Sequence, residues 1–229
     1  MRCVKITPTE LKGQISVPPS KSISHRTLIC ASLARGESTI SNISLSDDIL
    51  ATINGIKALG AKVNYIKSNS NGGTYDVVVV GNGFPEIQKS TIDCMESGST
   101  LRFLIPVALL AGKEVTFTGR GRLAQRPLDV YCRIFENQGI NYCTGPEGLP
   151  ITFSGKLKAG IFYVRGDVSS QFISGLLFSL PLLESDSEIL VTTPMESKGY
   201  VDLTIDVLKK YAIDIDNHNY EYFRVKGNQ

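Results

Sequence analysis

The chain has 229 residues, 42% of them hydrophobic and 20% charged, an ordinary globular composition long enough for one large domain or two small ones. Its 24 basic and 22 acidic residues leave a net charge of +2, which excludes a surface that coats nucleic acid and makes any anion site a local feature. The five scattered cysteines form no C-x-x-C pair and there are only two histidines, so a disulfide framework, a structural zinc and a histidine-rich metal centre are all excluded and a reducing compartment is expected.

The opening segment, MRCVKITPTELKG, lacks the apolar stretch of a signal peptide. The longest apolar runs, 101–112 and 172–183, are too short to cross a bilayer, so a cytoplasmic protein without a membrane partner is expected. The first distinctive stretch is VPPSKSISHRTL at 17–28, in which Lys21, Ser22, Ser24, His25 and Arg26 precede an apolar run over 27–34. It reads as a polar turn opening a buried helix. A strand, STISNIS, follows. Next comes an amphipathic helix with Ile49, Ile53, Ile56 and Leu59 on one stripe, Asp47 and Asp48 in its first turn and Gly60 as its stop. The strand AKVNYI, a hairpin loop at 68–74 and a linker at 81–86 complete the unit.

The same order recurs twice. ESGSTLR opens a buried helix over 101–111, and EVTFTG is the strand after it. Pro127 is expected at a first helical position, with Leu128, Tyr131, Cys132 and Phe135 as the stripe, Gly139 as the stop and INYCT as the next strand. A turn at 145–150 and a linker at 155–160 follow. In the third unit DVSSQ opens a buried helix over 172–183, EILVTT is the strand, Val201, Ile205 and Leu208 make the stripe, and AIDIDN closes. Each unit reads as strand, polar turn, buried helix, strand, amphipathic helix and two strands. The expected fold is therefore α+β: three βαβαββ lobes of roughly seventy residues around an approximate threefold axis.

The three polar turns hold equivalent places in the repeat, so rotation brings them together. Each offers free backbone N–H groups at a helix start, and Lys21, Arg26 and Arg102 add charge suited to a phosphate or carboxylate. Taken singly, each residue has a blander reading: a serine as an N-cap, His25 as a hydrogen-bond partner, Arg102 snorkelling or paired with Asp93 or Glu96. Their recurrence in three equivalent places favours the anion site. Two loops at the same end of the lobes, GRGRLAQRPLD with Arg120, Arg122 and Arg126 and TPMESKGYVD with Ser197, Lys198 and Tyr200, are placed to close over it. No nucleotide-binding glycine loop is present in the sequence.

Six motifs, PPSKSISHR, SDDI, SGSTLR, QRPLD, GDVSSQF and ESKGYVDLT, stand in the order and spacing of 5-enolpyruvylshikimate 3-phosphate synthases, and the chain resembles the N-terminal half of that family. The resemblance implies an enolpyruvyl transferase-type domain with helices inside and sheets outside. It spans 12–225, with lobes at about 12–81, 86–155 and 160–225, and with 1–11 and 226–229 as crossing segments of a second domain. It implies transfer of the enolpyruvyl group of phosphoenolpyruvate to the 5-hydroxyl of shikimate 3-phosphate, with no cofactor, and a half that is inactive by itself. Carried over by position, Lys21, Ser22, Arg26, Ser169, Ser170, Gln171, Ser197 and Tyr200 would hold shikimate 3-phosphate. Lys21, Gly98, Arg102, Arg126 and Gln171 would form the phosphoenolpyruvate side, with Lys21 and Arg126 supplying charge at the reacting centre. Glu96 departs from the family, where Asn is usual; its carboxylate would repel phosphoenolpyruvate unless it turns towards Arg102 or Arg126. Three alternatives carry different signatures. A UDP-N-acetylglucosamine enolpyruvyl transferase would carry a reactive Cys in the 119–129 loop, an RNA-end cyclase would show a nucleotide site and a catalytic His, and a stand-alone anion-binding module would need no second domain.

Overall fold

A computed structural model describes residues 3–5, 7–10, 12–15, 17–68 and 73–229. Helix α1 (Lys21–Leu33) leads into strand β1 (Arg35–Ile43), helix α2 (Asp47–Ala58) and the antiparallel strands β2 (Lys62–Lys67) and β3 (Tyr75–Asn82). The second unit runs β4 (Thr91–Asp93), α3 (Gly98–Leu109), β5 (Val115–Thr118), α4 (Asp129–Asn137), β6 (Asn141–Thr144), β7 (Ile151–Ser154). The third repeats it as β8 (Ile161–Val164), α5 (Ser170–Ser179), β9 (Ser187–Val191), α6 (Lys198–Lys210), β10 (Ile215–His218), β11 (Tyr222–Val225).

Sheet orders make the repeat explicit. They are β4-β5-β7-β6 and β8-β9-β11-β10, with the first pair parallel and the rest antiparallel. The first sheet is β1-β3-β2, the same order without the leading parallel strand. The strand expected before α1 is thus not formed among the described residues of 12–20. Ile15 and Val17 are exposed there, and Pro18 and Pro19 have no N–H to donate to a ladder. Residue 16 and most of the 68–74 hairpin loop lie outside the described residues.

The helices lie inside and the sheets outside. Leu101 and residues 103–109 of α3 are almost wholly buried, and so are Phe172, Ile173 and residues 176–178 of α5. The two helices pack through an edge-to-face Phe103–Phe178 contact at 5.4 Å. The strands alternate: in β3, Val77 and Val79 face this core, and in β8, Phe162 and Val164 do.

Helix ends differ from expectation in three places, each for a local reason. The SKSISHR turn is itself helical, because the Ser20 side chain caps α1 by accepting from the Ile23 N–H at 3.4 Å. Pro127 lies just before α4, whose N-cap is Leu128. The third buried helix passes into a 3-10 turn over Leu180–Leu182, where Pro181 cannot extend the α-helical ladder. Gly60 and Gly139 do stop their helices, at φ of 100° and 72°, a region open to glycine. Residues 228 and 229 fold back, their N–H groups donating to Leu183 and Pro181. Among the described residues no helix is long and apolar enough to cross a membrane.

Candidate anion site at three helix N-termini

Each buried helix begins with a capping serine. The Ser20, Ser97 and Ser169 side chains accept from the N–H groups of Ile23, Thr100 and Gln171 at 3.4, 3.1 and 3.3 Å. The first turns of α1, α3 and α5 hold no acidic residue, whereas those of α2 and α4 do. The positive ends of the three central helices are therefore left for an external anion.

They meet in a cavity of about 350 Å³. Ser22 and Arg26 enter it from α1, and Ser99 and Arg102 from α3. Ser169, Ser170 and Gln171 enter from the start of α5. The 119–129 loop contributes Arg126, and the loop before α6 contributes Glu196, Ser197 and Tyr200. A larger cavity of about 500 Å³ lies at the opposite ends of α1, α5 and α6, lined by Cys30, Phe178 and Tyr211 among others, with Arg35 its one cation. The smaller cavity holds three arginines and the convergent donors, and the chemistry points there.

Gln171 is the central connector. Its carbonyl oxygen accepts from Arg102 Nη1 at 2.9 Å, and its amide donates to Ser99 Oγ at 2.9 Å. Arg102 also donates to the Pro127 carbonyl at 3.2 Å and lies 5.0 Å over the Phe172 ring. It pairs with neither Asp93 nor Glu96, and its Nε is buried without a partner. Burial, and then the neighbouring Arg126, lower its pKa. A Cβ at Gly98 would stand 2.5 Å from Arg126 Nη1, so the glycine leaves room for that guanidinium against the start of α3.

Arg26 is 2% exposed. Its Nε donates to Thr204 Oγ1 at 2.7 Å, Nη1 to the Ser22 carbonyl at 2.8 Å and Nη2 to the Tyr200 carbonyl at 2.9 Å. Burial lowers its pKa to about 10, still charged at neutral pH. It organises the walls of the cavity as well as charging them.

Lys21 differs from expectation. It is absent from the cavity lining, half-exposed, and its ammonium is hydrogen-bonded to the Asp48 carboxylate. It stands at the first position of α1, within reach of the acidic first turn of α2. Glu96 differs too. Its carboxylate lies against Gly121, 2.7 Å from where a Cβ would stand, and forms no ion pair with Arg102 or Arg126 among the described residues. The three loop arginines are all exposed, and of them only Arg126 lines the cavity. Lys198 stacks on Tyr220 at 4.9 Å instead.

His25 is a hydrogen-bond partner, its Nδ1 2.7 Å from Thr52 Oγ1. Burial lowers its pKa to about 4, with Lys21 and Arg26 adding to the shift and Asp48 opposing it. Ser99, Val168 and Glu196 also line the cavity and were not assigned there from sequence; their adjacency to Gly98, Ser169 and Ser197 was the available signal.

The sequence signature of the EPSP synthase family, described as EPSP synthase (3-phosphoshikimate 1-carboxyvinyltransferase), matches residues 6–229. The chain belongs to the EPSP synthase family. It is 55% identical, over its whole length, to the 3-phosphoshikimate 1-carboxyvinyltransferase of Clostridium novyi (strain NT), of which it covers 53%. It is 51% identical to that of Clostridium kluyveri, covering 52%, and 48% identical to that of Clostridioides difficile (strain 630), covering 53%. The chain thus spans about half the length of these relatives. Its fold matches a solved EPSP synthase from Acinetobacter baumannii with a TM-score of 0.78 over 95% of this chain and 47% of that one, at 22% identity.

Proposed function

We propose that this chain is the shikimate 3-phosphate-binding half of a 3-phosphoshikimate 1-carboxyvinyltransferase, acting in the cytoplasm together with a second enolpyruvyl transferase domain. The observation that carries this reading is the cavity where three helix N-termini, Arg26, Arg102 and Arg126 converge around Gln171. In this reading residues 12–225 form the substrate domain, and 1–11 and 226–229 lead to the other one. Ser169, Ser170 and Ser197 hold the phosphate, Ser22, Arg26 and Tyr200 hold the ring, and Gly98, Arg102, Arg126 and Gln171 serve phosphoenolpyruvate.

The reaction protonates the methylene carbon of phosphoenolpyruvate while the 5-oxygen, giving up its proton, bonds to the adjacent carbon; the tetrahedral intermediate then loses a methyl proton and phosphate, which restores the double bond. This half supplies charge neutralisation and orientation. Lys21 joins the site by exchanging Asp48 for substrate. The proton-transfer groups come from the second domain, so the half by itself binds without turnover.

A calorimetric titration of this chain with shikimate 3-phosphate, with shikimate as control, tests the reading. Saturable binding that requires the phosphate is expected. Equal binding of both compounds, or of neither even after the second domain is added, would overturn it.

A further inference from the structure

Three buried hydroxyls stand at one register in the three amphipathic helices. Thr52 in α2, Tyr131 in α4 and Thr204 in α6 each precede by eight residues the left-handed residue that ends the helix: Gly60, Gly139 and Ala212, at φ of 100°, 72° and 62°. All three side chains belong to residues that are 0% exposed. Each bridges the two central helices beside it. Thr52 Oγ1 lies 2.7 Å from His25 Nδ1 of α1 and 2.7 Å from Thr100 Oγ1 of α3. The Tyr131 hydroxyl is shared between the carbonyl oxygens of Arg102 in α3, at 2.7 Å, and Phe172 in α5, at 3.1 Å. Thr204 Oγ1 accepts from Arg26 Nε of α1 at 2.7 Å and lies 2.8 Å from Ser174 Oγ of α5.

The bridges close a ring from α1 to α3 to α5 and back to α1. Five of the six end points are cavity residues or next to them: Arg26 and Arg102 line the cavity, His25 precedes Arg26, Thr100 follows Ser99 and Phe172 follows Gln171, while Ser174 lies one turn beyond Gln171. A threonine in a helix commonly bonds its own carbonyl four residues back, and Thr52 and Thr204 reach those at 3.4 and 3.0 Å. The cross-helix contacts are shorter. The residue types differ, Thr, Tyr and Thr, while the register and the bridged pair repeat.

We propose that Thr52, Tyr131 and Thr204 are equivalent positioning residues, a ring of hydroxyl latches that sets how the three helix N-termini sit around the anion cavity. The geometry stands whatever the ligand; only the affinity arm of the test rests on the function proposed above. Because buried hydrogen bonds act locally, removing one latch loosens the two helices it joins and spares the third.

The test uses Thr52→Val, Tyr131→Phe and Thr204→Val in this chain, followed by amide hydrogen exchange. Thr116→Val, which removes a cross-strand hydroxyl contact of 2.9 Å in β5, is the matched control. Protection is expected to fall about fivefold in α1 and α3 for Thr52→Val, in α3 and α5 for Tyr131→Phe, and in α5 and α1 for Thr204→Val. Thr204→Val is also expected to weaken shikimate 3-phosphate binding about fivefold, with Thr204→Ser restoring it and the control unchanged. Equal loosening of all three helices by each variant, or no loss beyond the control, overturns the proposal. If the unaltered chain does not bind shikimate 3-phosphate even with the second domain added, the functional reading fails and the pairwise exchange pattern still decides the latches. If Thr204→Val does not fold, Tyr131→Phe and Thr52→Val decide by the same pattern.

Discussion

Two polar residues at or beside the cavity have measurable consequences, one through burial and one through its charge. His25 is neutral in the folded chain, with a pKa of about 4 against an ordinary value of 6.5. Between those values the unfolded chain binds more protons than the folded one. Stability therefore rises with pH across the window, is fully present above 6.5 and is lost as the pH falls towards 4. The shift corresponds to about 3 kcal/mol. Urea unfolding at pH 7 and pH 4.5 checks it: His25→Asn is expected to flatten the slope in this window, and an unchanged slope would assign it elsewhere. Glu196 is the one carboxylate in a cavity with three arginines. Glu196→Gln is expected to tighten phosphate-ligand binding about threefold, the scale of an exposed charge contact, by calorimetric titration.

Close helix approach depends on glycine at one position above others. A Cβ at Gly175 in α5 would run into the Tyr131 hydroxyl and the Arg102 carbonyl oxygen, and its third neighbour is Pro106 at 3.2 Å. In an open helix, Gly→Ala stabilises by about 0.5–1 kcal/mol through chain entropy. Here overpacking reverses the sign, and Gly175→Ala is expected to cost about 1–3 kcal/mol by urea midpoint. Gly199 in α6 has nothing within 4 Å of that position, so Gly199→Ala is expected to be neutral or stabilising. The helix boundaries follow from the same local chemistry. That serines cap these helices is legible in sequence, because capping is settled within three residues, but which serines is not. The apolar runs at 27, 101 and 172 begin later than the helices do, most of all in α1, because the first turns are polar, and polarity there serves the cavity, not the helix.

At the scale of the molecule, three sheets share one helical interior. Buried residues of all three units, from Ile29 and Val79 through Phe103 and Phe153 to Phe172 and Phe223, belong to one apolar cluster. The lobes are therefore expected to unfold together, with circular dichroism and tyrosine fluorescence giving coincident urea transitions. Phe103 is at the centre, against Phe178 and 5.0 Å beneath the Arg26 guanidinium. Phe103→Ala is expected to shift that single transition by about 3–5 kcal/mol; two separate transitions would show independent lobes.

The threefold repeat, the element order and the polar turns that open the buried helices were determined by the sequence alone. Helical and strand periodicity, capping and left-handed stops are set by residues a few positions apart. The tertiary structure decided what depends on distant partners. Lys21 faces Asp48 instead of the cavity, Arg126 lines the cavity while Arg120 and Arg122 do not, and among the described residues β1 has no parallel neighbour like those of its two counterparts. The hydroxyl ring belongs with these. Thr204 and Arg26 are 178 residues apart, and only the packing of six helices brings a hydroxyl of each outer helix between two inner ones. Local chemistry acts along the chain, whereas a side chain's partner across a helix interface is set by how the helices rotate against one another when the common core closes.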